Sequence, residues 1–239
     1  MKKLGVIGGL GPMATALFLK MIVEMTDADS DQEHIECIVY DCPKIPDRTK
    51  YILGQSDEDP APMMMDFGKR LADQGASVIA IPCITATYFH PQVRAAAQIP
   101  VINAIEEMCK YFKKHDISCA GLMATSGTVG SGLFQKIFQE NGLRLVVPSH
   151  ERQLDIMHVI YQNVKAGKPV ELERFFGVAE DLWQQGAHVL ILGCTELSVV
   201  RENYPIGAGY MDALQLMAKC AVEACGTLRP EYEDIITRG

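Results

Sequence analysis

Two kinds of hydrophobic pattern alternate along the chain. Short, continuous apolar runs occupy 4–7, 37–40, 78–81, 119–124 and 189–192, with short strands also expected at 100–103 and 143–147 and a short apolar stretch just before Asp212. Runs of this length that lack polar alternation suit parallel strands covered on both faces. Between them lie longer stretches with helical spacing. Leu17, Phe18, Met21, Ile22 and Met25 share one side of the first. Others cover 61–74, 88–97, 105–114, a stretch from about 131, 153–164 and 170–184. A last one carries Leu214, Met217, Cys220, Ala221 and Ala224. Strand alternating with helix predicts an α/β fold with doubly wound parallel sheets.

The pattern also repeats. Gln74-Gly75-Ala76-Ser77-Val78-Ile79-Ala80-Ile81-Pro82-Cys83 aligns without a gap on Gln185-Gly186-Ala187-His188-Val189-Leu190-Ile191-Leu192-Gly193-Cys194. Gly5-Val6-Ile7-Gly8 has a weaker counterpart in Gly121-Leu122-Met123-Ala124. Two segments in the same order predict a duplicated unit, hence two similar domains related by a pseudo-twofold axis with the site in the cleft between them. The expected division is 1–103 with 210–239 for the Cys83 half, and 104–209 for the Cys194 half. Ligands of such sheets bind beyond the carboxyl ends of the strands, where both cysteines fall.

Composition narrows the partners. The net charge of −8 argues against nucleic acid as a partner. It leaves room for an anionic small molecule, since one or two local cations suffice. The 8 cysteines include no C-x-x-C pair, and the five-residue separations of Cys37 from Cys42 and of Cys220 from Cys225 match no common metal spacing. They read as reduced thiols of a cytoplasmic protein, with no metal site. Lys2 and Lys3 precede an apolar run, but Gly8, Gly9, Gly11 and Pro12 interrupt it, so no signal peptide is expected. No apolar run is long enough to span a membrane.

Several loops carry candidate chemistry. Gly8-Gly9-Leu10-Gly11-Pro12 opens onto a helix start and suits an anion, with Gly9 and Gly11 as candidate binding positions. The run from Gly9 to Ala14 also fits a dinucleotide pattern, with Asp41 where a ribose-binding acid would lie. That reading ranks last, because it leaves the duplicated cysteine motif unexplained. Arg48, in the loop 43–49, offers a guanidinium fork for a carboxylate. Thr125 and Thr128 offer hydroxyls and free amides at another helix start. A cysteine at a helix start is expected to have a lowered pKa through the helix dipole. No histidine is tied to either cysteine motif, which disfavours nucleophilic hydrolysis. Two facing thiols suit a different reaction, in which one removes a proton from a carbon acid while the other supplies a proton to the opposite face.

The chain resembles the cofactor-independent aspartate/glutamate racemase family, in particular its aspartate racemase-like branch. The resemblance spans nearly the whole chain. It rests on 8–15, on Ile45-Pro46-Asp47-Arg48-Thr49, on Pro82-Cys83-x-Thr85-Ala86, on Ala124-Thr125-Ser126-Gly127-Thr128, on Lys165-Ala166-Gly167 and on Gly193-Cys194-Thr195-Glu196. It implies racemisation of aspartate or a related acidic amino acid by two thiols, Cys83 and Cys194, without a cofactor, in a homodimer. It further implies Thr85, Thr128 and Thr195 at the α-carboxylate and amino group, and Arg48 and Lys165 at the side-chain carboxylate. Gly9, Gly11, Thr125 and Glu196 complete the expected substrate contacts. Where the family motif reads Pro-Cys-Asn-Thr-Ala-His, this chain has Ile84 and Thr87 in place of the asparagine and histidine. The alternatives are a related isomerase or lyase acting on a different carboxylate, of the hydantoin racemase or maleate isomerase kind, and a binding protein that has lost catalysis.

Overall fold

The computed structural model describes residues 2–238. In chain order the elements are β1 (Lys3–Gly8), α1 (Pro12–Met25), β2 (Cys37–Asp41), α2 (Arg48–Ile52), α3 (Ala61–Asp73), β3 (Ala76–Ala80), α4 (His90–Ala97) and α5 (Ala104–Lys114). Then come β4 (Cys119–Met123), α6 (Ser126–Gly130), α7 (Leu133–Glu140), β5 (Arg144–Val146), α8 (His150–His158), α9 (Leu172–Gln184), β6 (Val189–Leu192), α10 (Thr195–Asn203), β7 (Tyr210–Asp212) and α11 (Ala213–Cys225). A 3₁₀ turn, Ile84–Phe89, joins β3 to α4, and α8 runs on as a π-helix, Val159–Val164.

All strand pairs within the two sheets are parallel, as the continuous apolar runs predict. One sheet has the order β2-β1-β3 and the other β5-β4-β6-β7. The first three strands of each are wound alike, so the sequence repeat is a repeat of topology: β1 matches β4 and β3 matches β6. The fourth position differs. The expected strand at 100–103 shrinks to one parallel bridge between Val101 and Ile79. Ile79 N–H donates to Pro100 O and Ile102 N–H to Ile79 O, each at 2.9 Å. Pro100 has no N–H to extend the ladder. Residues 210–212, grouped with the first half on sequence grounds, form the edge strand β7 beside β6. The chain then crosses back, and α11 packs along α1.

Side chains alternate between the faces of each sheet and thereby define three cores. Leu4, Val6, Val78 and Ala80 point to the same core as Ala120, Leu122, Val189 and Ile191. Between them lie α1, α5 and α11, with Phe18, Met108, Phe112 and Met217 buried. One helical layer thus serves both sheets. The outer face of the first sheet, with Ile7 and Ile79, is covered by α3 and α4 through Met64, Leu71 and Val93. The outer face of the second, with Leu190 and Leu192, is covered by α8 and α9 through Ile156, Phe175 and Leu182. The helical arm expected at 153–164 begins earlier and widens into the π turn, while the expected loop at 43–49 ends in the short helix α2. Asp47 makes α2 possible: its Oδ1 accepts from Lys50 N–H at 2.9 Å and caps the first turn. No helix among the described residues is long and apolar enough to cross a membrane.

Candidate active site

The two cysteines occupy matching places. Cys83 follows β3 and is the last extended residue before the 3₁₀ turn, with φ −155° and ψ 109°. Cys194 follows β6 and is the last extended residue before α10, with φ −135° and ψ 134°. Each is 7% exposed. The approach to Cys194 is close-packed: a Cβ on Gly193 would lie 2.6 Å from Leu122 Cδ1 and 3.2 Å from Met123 O, so an alanine there would push the Leu122 side chain aside. Both cysteines line one cavity, together with Leu10, Asp47, Arg48, Thr49, Ile84, Thr85, Thr125, Tyr161, Lys165, Thr195 and Glu196. Its free volume is about 20 Å³, close to the room of one water molecule.

A cluster of hydroxyls joins the halves. Thr85 Oγ1 lies 2.8 Å from Thr128 Oγ1 and 3.2 Å from Thr125 Oγ1. Thr125 and Thr128 are 3.1 Å apart, and Thr49 Oγ1 donates to Thr125 Oγ1 at 3.2 Å. Thr125 also caps α6, accepting from Thr128 N–H at 3.2 Å. All four threonines are buried. Buried hydroxyls that bond to one another remain available to a polar ligand at little reorganisation cost.

The opposite wall carries charge. Glu196 Oε2 accepts from Cys194 Sγ at 2.9 Å and from Thr195 Oγ1 at 3.4 Å. Glu196 Oε1 pairs with Lys165. The Lys165 ammonium also stands over the Tyr161 ring, 5.5 Å from its centroid. Burial opposes the charge on Lys165, but the Glu196 carboxylate beside it favours that charge, and its pKa is raised. The Cys194 thiol departs from expectation. Burial, then the Glu196 charge, push its pKa well above the ordinary thiol value, and the neighbouring Lys165 does not reverse this. The helix start was expected to lower it. Desolvation and a carboxylate at 2.9 Å overcome the dipole, so Cys194 rests as a protonated thiol.

Of the residues expected at the site, Cys83, Thr85, Thr125, Arg48, Lys165, Cys194, Thr195 and Glu196 line the cavity. Thr128 stands behind Thr85. Gly9 also stands back, with φ +86° and its N–H donated to Thr15 Oγ1 at 2.9 Å. At Gly11 a Cβ would come within 3.4 Å of Glu196 Oε1. Arg48 braces its own loop: Nη1 donates to Ile45 O at 3.2 Å and Pro46 O at 2.9 Å, and Nη2 to Leu10 O at 2.8 Å. Its buried Nε–H has no hydrogen-bond partner among the described residues. Tyr161, Asp47 and Thr49 were not foreseen as wall residues. Tyr161 had a signal, since it lies four residues before Lys165 in a helical stretch. Among the described residues, no three His, Cys, Asp or Glu side chains cluster as metal ligands.

Comparison with known proteins gives concordant matches. The family described as Asp/Glu/Hydantoin racemase matches residues 7–219. A broad specificity amino-acid racemase of Bacillus subtilis (strain 168) is 23% identical over 229 residues, covering 92% of this chain and 96% of the relative. The structure of Picrophilus torridus aspartate racemase superposes with a TM-score of 0.82 at 27% identity, covering 97% of this chain and 98% of the other. A glutamate racemase of Francisella tularensis subsp. tularensis SCHU S4, solved in complex with D-glutamate, shares the fold with a TM-score of 0.67 at 18% identity, covering 93% and 80%.

Proposed function

Because the chain belongs to the Asp/Glu/Hydantoin racemase family, we propose that its amino-acid racemase chemistry runs through two thiols, Cys83 and Cys194, on aspartate or a related acidic amino acid. The observation that carries this reading is the shared cavity: equivalent strand ends of two sheets with matching topology each deliver one buried cysteine to it. One sulfur, as thiolate, removes the α-proton, and the C–H electron pair stays on the substrate as an enolate-like carbanion. The other sulfur, as thiol, gives its proton to the opposite face. The threonine hydroxyls stabilise the charge that develops on the carboxylate. Lys165 and the free Nε–H of Arg48 are the donors for a side-chain carboxylate.

A cavity of about 20 Å³ cannot hold an amino acid, so substrate admission requires the walls to part. The proposed moving bodies are two domains; because β7 pairs with β6, the boundary expected after residue 209 moves to after 212, giving 1–103 with 213–239 and 104–212, hinged where the chain crosses between the sheets. The protein is further proposed to act in the cytoplasm as a homodimer, which sedimentation would report. Ile84 on the cavity wall favours a second reading, a carboxylate or hydantoin whose α-substituent needs no amide partner. Proton exchange in D2O separates the two. L- and D-aspartate, L- and D-glutamate and substituted hydantoins are each followed by NMR, with Cys83→Ala and Cys194→Ala as controls. Exchange of the acidic amino acids, with inversion and lost in either variant, is the expected result. Exchange that survives in both variants overturns the two-thiol mechanism.

A further inference from the structure

The two thiols are not equivalent. Cys194 Sγ donates to a buried carboxylate at 2.9 Å, and Cys83 has no such partner among the described residues. The carboxylate in question, Glu196, makes its polar side-chain contacts among the described residues inside the site, with Cys194, Thr195 and Lys165. Stripping Cys194 of its proton to bulk water would place a second anion beside Glu196 in a buried wall, which is costly. Moving the proton across the hydrogen bond avoids this. The S–H bond breaks, its electron pair stays on sulfur, and the proton forms an O–H bond at Glu196 Oε2. The pair carries one negative charge before and after, and Lys165 neutralises it in both states.

Resting on the two-thiol reading, we propose that Glu196 is the proton partner of Cys194, taking the thiol proton when Cys194 must act as the base and returning it afterwards. Glu196 is then a positioning residue that acts through Cys194. Internal transfer has a distinctive pH signature. A thiol that loses its proton to water forms about tenfold more thiolate per pH unit below its pKa. A thiol that shares its proton with a carboxylate holds a small, constant thiolate fraction between the two titrations of the pair.

The test is alkylation of Cys194 by iodoacetamide from pH 5 to 8 without substrate, read by peptide mass spectrometry in the wild type and in Glu196→Gln. The expected wild-type rate is nearly flat with pH. In Glu196→Gln it should climb about tenfold per unit, while the Cys83 rates stay equal in the two proteins. A wild-type Cys194 rate that climbs tenfold per unit, with the same slope in Glu196→Gln, overturns the proposal. If Glu196→Gln does not fold, Glu196→Asp withdraws the carboxylate by one methylene. A steeper slope there supports the proposal, and an unchanged one overturns it. If Cys194 resists the reagent, the pH profile of α-proton exchange decides: flat in wild type and rising with hydroxide in the variant is expected, and parallel profiles overturn it. Absence of any α-proton exchange in wild type would instead sink the racemisation reading, leaving the substrate-free alkylation slopes to judge Glu196 separately.

Discussion

Replacing Thr85 by valine removes one hydroxyl from the cluster that ties the two halves together. The volume is nearly kept, so the change is one of hydrogen bonding. Two neutral contacts are lost, at 2.8 Å to Thr128 and 3.2 Å to Thr125. At a net ~0.5–1.5 kcal/mol each, the outer range is about 1–3 kcal/mol. The partners are not orphaned, because Thr125 and Thr128 still bond each other at 3.1 Å and Thr125 still meets Thr49. The lower part of the range therefore applies, about 1–2 kcal/mol. For a chain of this size that lowers Tm by roughly 2–8 °C. Calorimetry and urea unfolding measure the loss, provided the transition is two-state. Thr128→Val and the double variant complete a cycle, in which the expected coupling is about 0.5–1.5 kcal/mol. Additivity within ~0.3 kcal/mol, or an unchanged Tm in Thr85→Val, would refute the claim that these hydroxyls bond across the cleft. The same variant should slow α-proton exchange by far more than its small stability loss explains, since the hydroxyl lines the cavity.

Gly9→Ala should destabilise by at least ~3 kcal/mol, because φ is +86° and the new Cβ would sit 2.3 Å from the Cys42 carbonyl carbon; a Tm within a degree or two of wild type would contradict this. Asp212 is 0% exposed. Its Oδ1 accepts from Ser198 Oγ at 2.7 Å and Leu214 N–H at 2.8 Å, and Arg201 approaches Oδ2 at 3.3 Å. Asp212→Ala removes both an ion partner and the cap of α11, and should cost about 3–5 kcal/mol in urea unfolding. Asp234 is held down at about 2, by Arg238 and then by Tyr111, against an ordinary value of 3.8. A lowered folded pKa contributes stability above the unfolded value and loses it as pH falls from about 4 towards 2. The amide of Ile235, bonded to Tyr111 Oη at 3.2 Å, should lose exchange protection in that window. Retained protection at pH 2 would show that the carboxylate does not anchor the C-terminal segment.

Local sequence determined much of this protein. The apolar runs at 78–81 and 189–192 are buried at every position and hold the ends of β3 and β6, and Cys83 and Cys194 reach the site because each is the last extended residue before the chain turns into a helical segment. The repeat of Gln-Gly-Ala and Cys around those runs foretold the shared winding of the two sheets. Gly8 to Pro12 announced a loop onto a helix start for a similarly local reason, the backbone conformations that glycine allows and the free first-turn amide that proline does not waste. Tertiary structure decided what depends on distant groups. That the fourth strand of the first sheet is a single bridge follows from where Pro100 meets Ile79. Arg48 turns Nη2 to the carbonyl of Leu10, 38 residues away, only because the fold brings the two loops together. The protonation of Cys194 is the clearest case. Its place at a helix start argues for a thiolate, and that much is visible along the chain. Desolvation and the Glu196 charge exist only once the residues are packed together, and over 2.9 Å in a buried wall they outweigh both the helix end and the Lys165 ammonium.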